Sequence, residues 1–191
     1  MPALDLGSQS APGWHPHQGV ARLVNMYVEQ AGPEGKAQLP LRAVAGLTDF
    51  ATLTGGGATR AMLSLDSEVL AVSNRVLFRV DAGGTPTVVG GIASDGHVTM
   101  ARNGRQSGTQ VGIVCDGLYY IYSAGTLTQV NDADLQPPNS VCYVGGYFVL
   151  TCPSGRVYVT ELEEGDQIDG LDFNTAQRNP DGLLIGKPRG N

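Results

Sequence analysis

Three histidines, three cysteines and two acidic clusters hold most of the chemical potential of this sequence. His15 and His17 flank Pro16 and have the side chains of a metal pair. No third ligand is nearby, and the proline keeps the segment extended. His97 opens an apolar segment with no serine or cysteine placed beside it, and no G-x-S-x-G occurs. Cys115, Cys142 and Cys152 show no C-x-x-C spacing, so they do not read as a zinc site. Each falls in or beside a predicted strand, where a reduced thiol behaves as a small buried hydrophobe. The run 161-ELEEGDQIDGLD-172 lacks the ligand order of a calcium loop and reads as a solvated loop. Asp132 and Asp134 are two carboxylates of the type a glycosidase uses, but no matching partner can be placed. Gly55-Gly56-Gly57 is not followed by the Gly-Lys-Ser/Thr of a phosphate loop. The sequence therefore predicts no catalytic residue, no metal site, no cofactor and no enzyme.

The elements that carry these residues are strands. In 110-QVGIVCDGLYYIYS-123 two apolar runs are broken by Asp116-Gly117. Asp-Gly between apolar runs signals a tight hairpin, because a primed turn needs φ > 0 at both central positions. The same design recurs in 68-EVLAVSNRVLFRVD-81 and in 147-YFVLTCPSGRVYVTEL-162. Aligned on Val69, Val111 and Phe148, the copies are 42 and 37 residues apart, which points to a repeat architecture.

Each repeat reads as a four-strand meander. The first covers 60–65, 68–73, 75–80 and 86–92; the second covers 97–101, 110–115, 118–122 and 126–130. The third covers 140–144, 147–151, 156–162 and a weaker 168–173. Four strands in roughly 40 residues match a β-propeller blade. The predicted fold is thus all-β: a propeller of four-stranded meander blades, with an extended N-terminal arm. Sialidases also use propellers and repeat an S-x-D-x-G-x-T-W turn; Ser94-Asp95-Gly96 matches only a fragment of it, without the tryptophan.

The expected divisions are an arm at 1–20, an extended docking segment with short strands at 21–58, three blades at 59–175, and the start of a further blade at 176–191. Within the docking segment, 22–30 reads as a strand and 41–53 as an apolar stretch broken at Gly46. Three blades fall short of the four to eight that close a propeller. The chain is therefore expected to be part of a longer propeller.

Composition agrees with this reading. Only 16% of residues are charged, while 27 glycines and 11 prolines favour short strands and tight turns over long helices. No apolar run approaches the roughly 20 residues that span a bilayer, so no membrane anchor is expected. The opening MPALDLGSQS has neither the basic nor the apolar region of a secretion signal, and synthesis in a reducing cytosol is expected. Net charge is −6, and residues 111–191 hold ten acidic against four basic side chains. Proteins that grip nucleic acid show a basic face, so this one is expected to lie near DNA, if at all, without gripping it.

Several segments taken in order carry a resemblance: 21-ARLVNMYVEQ-30, Ala45-Gly46-Leu47-Thr48, 97-HVTMARNGRQ-106, 147-YFVLTCPSGRVYVTEL-162 and 171-LDFNTAQRNPDGLLIG-186. Together they resemble the packaged-DNA stabilisation proteins of short-tailed bacteriophages, the hub or nozzle components of the tail. Arg22, Leu23, Asn25, Tyr27 and Glu29 fit that family's R-L-x-N-x-Y-x-E pattern. Gly46-Leu47-Thr48 fits its P-G-L-T-like turn with Ala45 in place of proline. Ala176, Pro180 and Asp181 fit its A-E-x-x-P-D stretch with Gln177 in place of glutamate. The resemblance implies a structural virion protein of the tail, made in the host cytoplasm. It implies a ring, usually of six copies, below the portal and adaptor, which closes the head, retains the genome and holds needle, spikes or fibres. Genome DNA would pass through its channel without sequence-specific binding. Trp14, Arg22, Asn25 and Tyr27 are the expected anchors of the N-terminal segment, and Pro180 and Asp181 the expected turn between blades. A different reading of the same repeats is a carbohydrate-binding or glycan-hydrolysing propeller used in host attachment.

Overall fold

The computed structural model describes residues 24–29, 40–55, 57–175 and 182–188. Every regular element among them is a β-strand. They fall into two compact units, one within residues 1–49 and one within 50–191.

The first unit holds β1 (Met26–Val28) and β2 (Leu41–Ala43), an antiparallel pair with Tyr27 opposite Arg42. The regular part of each is shorter than the apolar patterns at 22–30 and 41–53 suggest. Gly46 to Phe50 has no ladder partner, and the backbone there is free of regular structure.

The second unit holds three antiparallel meanders. Blade 1 is β3 (Thr59–Ser64), β4 (Glu68–Ser73), β5 (Val76–Asp81) and β6 (Pro86–Gly91). Blade 2 is β7 (Val98–Arg102), β8 (Gln110–Cys115), β9 (Leu118–Ser123) and β10 (Thr126–Gln129). Blade 3 is β11 (Ser140–Val144), β12 (Tyr147–Thr151), β13 (Arg156–Glu161) and β14 (Glu164–Thr175). The repeat read from the sequence is therefore the repeat of the fold. Asp116 and Gly117 take φ of 49° and 78°, the primed hairpin turn their types predict.

Blade 2 shows why no blade is stable alone. Side chains alternate across a strand, and both faces of blade 2 are apolar. Val111, Ile113, Cys115, Tyr120 and Tyr122 pack with Leu70, Val72 and Leu77 of blade 1. Val114, Tyr119 and Ile121 point the other way and pack with Val141, Phe148, Leu150 and Tyr158 of blade 3. All six residues of β8 are buried as a result. Gly112 lies between them because a Cβ there would stand 3.1 Å from the Phe148 ring. The outward faces of the two flanking blades stay partly bare. Met62 and Val88 on blade 1 are more than half exposed, and Val144 and Tyr147 on blade 3 are also open to solvent. The three blades form an unclosed part of a propeller.

The sequence suggested a weak fourth strand at 168–173 in blade 3. The observed β14 has twelve residues and is irregular. Glu161 pairs with Glu164 and Thr160 with Ile168, and the next pair is Tyr158 with Phe173. The extra residues form bulges, which bend a strand and re-aim its backbone. The first bulge turns Gly165 into the seam between blades 2 and 3. Its N–H donates to Gln110 Oε1 at 2.7 Å, and its carbonyl accepts the Tyr119 hydroxyl at 2.9 Å. Burial and nearby Asp166 push the Tyr119 phenol well above its ordinary range, so it stays protonated as the donor.

A Cβ on Gly165 would stand 2.6 Å from Ile121 Cδ1 and 2.9 Å from the Phe148 ring. Gly165→Ala is therefore expected to lower stability by about 1–3 kcal/mol, as overpacking does. Urea unfolding followed by far-ultraviolet circular dichroism measures this. Gly46→Ala, where nothing lies within 4 Å, is the control and should change stability by less than about 0.5 kcal/mol.

Candidate functional site

Two surfaces combine family-pattern residues with unusual geometry. The first is the β1–β2 ladder. Asn25 precedes β1 with φ of 54°, a conformation asparagine tolerates better than most residues. Its carbonyl accepts the Val44 N–H at 2.9 Å. Tyr27 and Glu29 are spaced by two, which places them on one face of the strand. Glu29 donates its N–H to the Pro40 carbonyl at 3.0 Å, and its carboxylate pairs with Arg42. The Y-x-E part of the motif thus has a strand period, closed by a cross-strand ion pair, and its asparagine supplies the turn into the strand. Arg42 was not singled out from the sequence; the alternation of the motif was the available signal. Val24, Met26, Tyr27 and Val44 are about half exposed, and Leu47 is fully exposed. A two-stranded ladder with so many bare apolar side chains is marginal in water by itself.

The second surface is the stretch 182–188. Its Gly186 N–H donates to Ser140 Oγ at 2.8 Å. Ser140 and Thr151 hydroxyls meet at 2.6 Å, and Thr151 Oγ1 donates to Asn139 Oδ1 at 2.7 Å. Asn139 Nδ2 in turn donates to the Leu183 carbonyl. Thr151 spends its single proton on Asn139, so Ser140 is the donor of the middle bond. The relay begins and ends on the same stretch. Ser140 and Thr151 are buried, where a complete network is strong and a broken one costly. Leu184 and Ile185 remain exposed.

This relay repeats an earlier contact. Thr99 stands opposite Val114, and Ser140 stands opposite Thr151, so the two are equivalent in their blades. Thr99 Oγ1 accepts the N–H of Val141 in β11 at 3.0 Å. Gly186 therefore receives from blade 3 what Val141 receives from blade 2.

The remaining predicted positions are placed as follows. Trp14, Arg22, Pro180 and Asp181 lie outside the described residues, as do His15 and His17. His97 is exposed at the start of β7. Ser94-Asp95-Gly96 makes a turn in which Ser94 Oγ accepts the Gly96 N–H and Asp95 pairs with Arg75. Asp132 accepts the N–H of Asp134 at 2.8 Å and so serves a turn. The acidic run is β13, its turn and the bulged β14, not a free loop. Among the described residues no three His, Cys, Asp or Glu side chains converge as a metal ion requires. All three cysteines are free and buried. Burial pushes the Cys142 thiol up and the Cys152 thiol up to about 11.

The family described as "Bacteriophage P22 Gp10, beta-propeller", of the phage stabilisation type, matches residues 20–188. The chain belongs to this family. It is a phage structural protein on a propeller fold. Solved structures are similar at low identity. The computationally designed Ika8 protein is 15% identical, with a TM-score of 0.50 over 89% of this chain and 52% of its own. YCF48 bound to D1 peptide is 11% identical, with a TM-score of 0.48 over 74% and 45%. The WD40 domain of Neurospora crassa Pan2 is 13% identical, with a TM-score of 0.38 over 62% and 35%. The likeness to Ika8 shows the fold alone. The chain spans about half the length, or less, of the structures it matches. No curated protein matches it.

Two measurements test the site's local physics. Ser140→Ala leaves the Gly186 N–H without its acceptor and the Thr151 oxygen without its donor. It should cost about 1–3 kcal/mol and strip hydrogen-exchange protection from Gly186. For Cys152, a raised pKa keeps the folded thiol protonated. Its contribution to stability is complete below the usual value near 9 and is lost as pH rises through about 11. At pH 8 the native thiol should react with iodoacetamide about a hundredfold more slowly than the unfolded one, because the thiolate is the nucleophile.

Proposed function

We propose that this chain is part of the tail hub, or nozzle, of a short-tailed phage. It assembles with copies of itself into a ring, of six in the simplest arrangement, below the portal and adaptor. The ring closes the head after packaging and carries the needle, spikes or fibres. The protein is made in the host cytoplasm and resides in the virion tail.

Family membership over residues 20–188 is the observation that carries this reading. The exposed ladder supports it. Val24, Met26, Tyr27, Val44 and Leu47 are apolar and open, as a surface awaiting a neighbour would be. Head-to-tail contacts of that kind generate rings when the rotation closes. Trp14, Arg22, Asn25 and Tyr27 anchor the N-terminal segment against the neighbour in this scheme, and residues 1–20 act as its arm. Pro180 and Asp181 shape the turn into a further blade, of which Gly182–Pro188 is the beginning. Gly186 standing in the role of Val141 supports that assignment. The excess of carboxylates lets DNA pass without sticking, since tight phosphate binding needs clustered Lys and Arg.

Electron-microscope class averages of the protein, alone and with its portal complex, test the proposal. Six-fold rings seated on the portal are expected, and monomers that ignore the portal would overturn it. Removing residues 1–20, or exchanging Tyr27→Ala together with Arg42→Glu, should abolish rings while leaving the melting of the blades unchanged. Rings that persist in both variants would remove the N-terminal ladder and arm from the assembly contact.

A further inference from the structure

Blades 1 and 2 form an open cavity of about 290 Å³ at the end of their seam opposite the Asp116–Gly117 turn. Two ion pairs form its walls. Arg102 is bidentate to Asp66, with both N···O distances 3.0 Å. Arg79 Nε stands 3.5 Å from Glu68, whose other oxygen accepts the Tyr122 hydroxyl at 3.2 Å. The first pair and the Tyr122–Glu68 bond cross from one blade to the other. Gly108 and Gly125, both with positive φ, sit in the lining and present no side chain. Nothing lies within 4 Å of the Gly108 Cβ direction, so the entrance is open there.

The chemistry of this cavity selects one class of ligand. Two guanidinium groups and two carboxylates sum to zero charge, so an anion or a cation gains no net attraction from the cavity walls. An apolar ligand would bury four charged side chains without replacing their water. The walls nevertheless keep unused hydrogen-bonding capacity. Each guanidinium has five N–H donors and each carboxylate about four acceptor sites. Half or more of the Asp66 side chain is exposed, and the Arg79 side chain is 43% exposed. Alternating donors and acceptors a few ångströms apart match adjacent hydroxyl groups, each of which both gives and takes a hydrogen bond. The space suits one or two sugar rings and lies near the lower end of small-molecule pockets.

We infer that the cavity between Asp66–Arg102 and Glu68–Arg79 binds a neutral polyhydroxylated ligand, a mono- or disaccharide unit. The guanidinium of Arg79 is its main free donor, and Asp66 its main free acceptor. This site is independent of ring assembly and stands whether or not the hub reading does.

Nitrogen-15 NMR of the full chain, titrated with glucose, galactose, mannose, rhamnose, lactose and sucrose, tests the inference. Glucuronate and glucosamine serve as the charged controls. The expected result is saturable shifts confined to the amides of Ser67, Gly108, Thr109 and Gly125 with at least one neutral sugar. Arg79→Ala should weaken that binding about tenfold, the worth of a hydrogen bond to a charged group. Ser67→Trp, which puts a bulky side chain at a lining position and leaves the four charged residues in place, should abolish it. No shift with any neutral sugar, shifts scattered over the surface, tighter binding of a charged control, or indifference to both substitutions would each overturn the assignment.

Discussion

Each blade here is apolar on both faces, and that constraint governs the rest of the fold. A sheet of this kind cannot stand in water; it must be held between two others. Blade 2 meets the requirement fully, with Val111 and Ile113 on one seam and Val114 and Tyr119 on the other. Burying such side chains contributes on the order of 1.5–3 kcal/mol each. The seams, rather than the hydrogen bonds of any one meander, therefore hold the unit together.

Apolar seams alone do not fix how far one blade slides on the next. Polar contacts at their edges do so. The second strand of each blade ends in a donor to the segment that enters the same blade. Ser73 reaches the Gly57 carbonyl at 3.3 Å, Cys115 reaches Ser94 at 3.6 Å, and Cys152 reaches Gln136 at 3.4 Å. Serine and cysteine are interchangeable in this place because both are small donors, which explains why two of the three thiols recur at corresponding points. At the opposite end, Arg102 with Asp66 and Arg105 with Glu164 tie neighbouring blades. These pairs are partly exposed, so they add register more than stability.

Most of the fold was legible because its signals are local. Asp116-Gly117 announces its own turn, and apolar runs of five or six residues announce the strands beside it. The period near 40 residues then supplies the architecture without any long-range knowledge. What escaped is what depends on distant partners. The bulged course of β14 follows from Gly165 fitting between Gln110 and Tyr119, which lie 55 and 46 residues earlier. The ion pair of Glu29 with Arg42 and the cavity shared by Asp66 and Arg102 are likewise products of pairing across the fold. The family pattern was readable at Asn25, Tyr27 and Glu29, and the spacing of the last two is that of a strand. Why Tyr27 should be bare is not a property of its neighbours in sequence.

The hydroxyl contacts from the first strand of a blade to the chain that follows it have a direction. Thr99 accepts from Val141, and Ser140 accepts from Gly186; in each case the earlier residue offers the oxygen and the later one brings the proton. A chain leaves the ribosome from its N-terminus, and domains form as they emerge. Blades 2 and 3 are thus each able to present an acceptor before the segment that needs it has been made. The polarity of these bonds runs with the polarity of translation: the oxygen is made first, and the N–H that completes the contact follows with the next segment of chain.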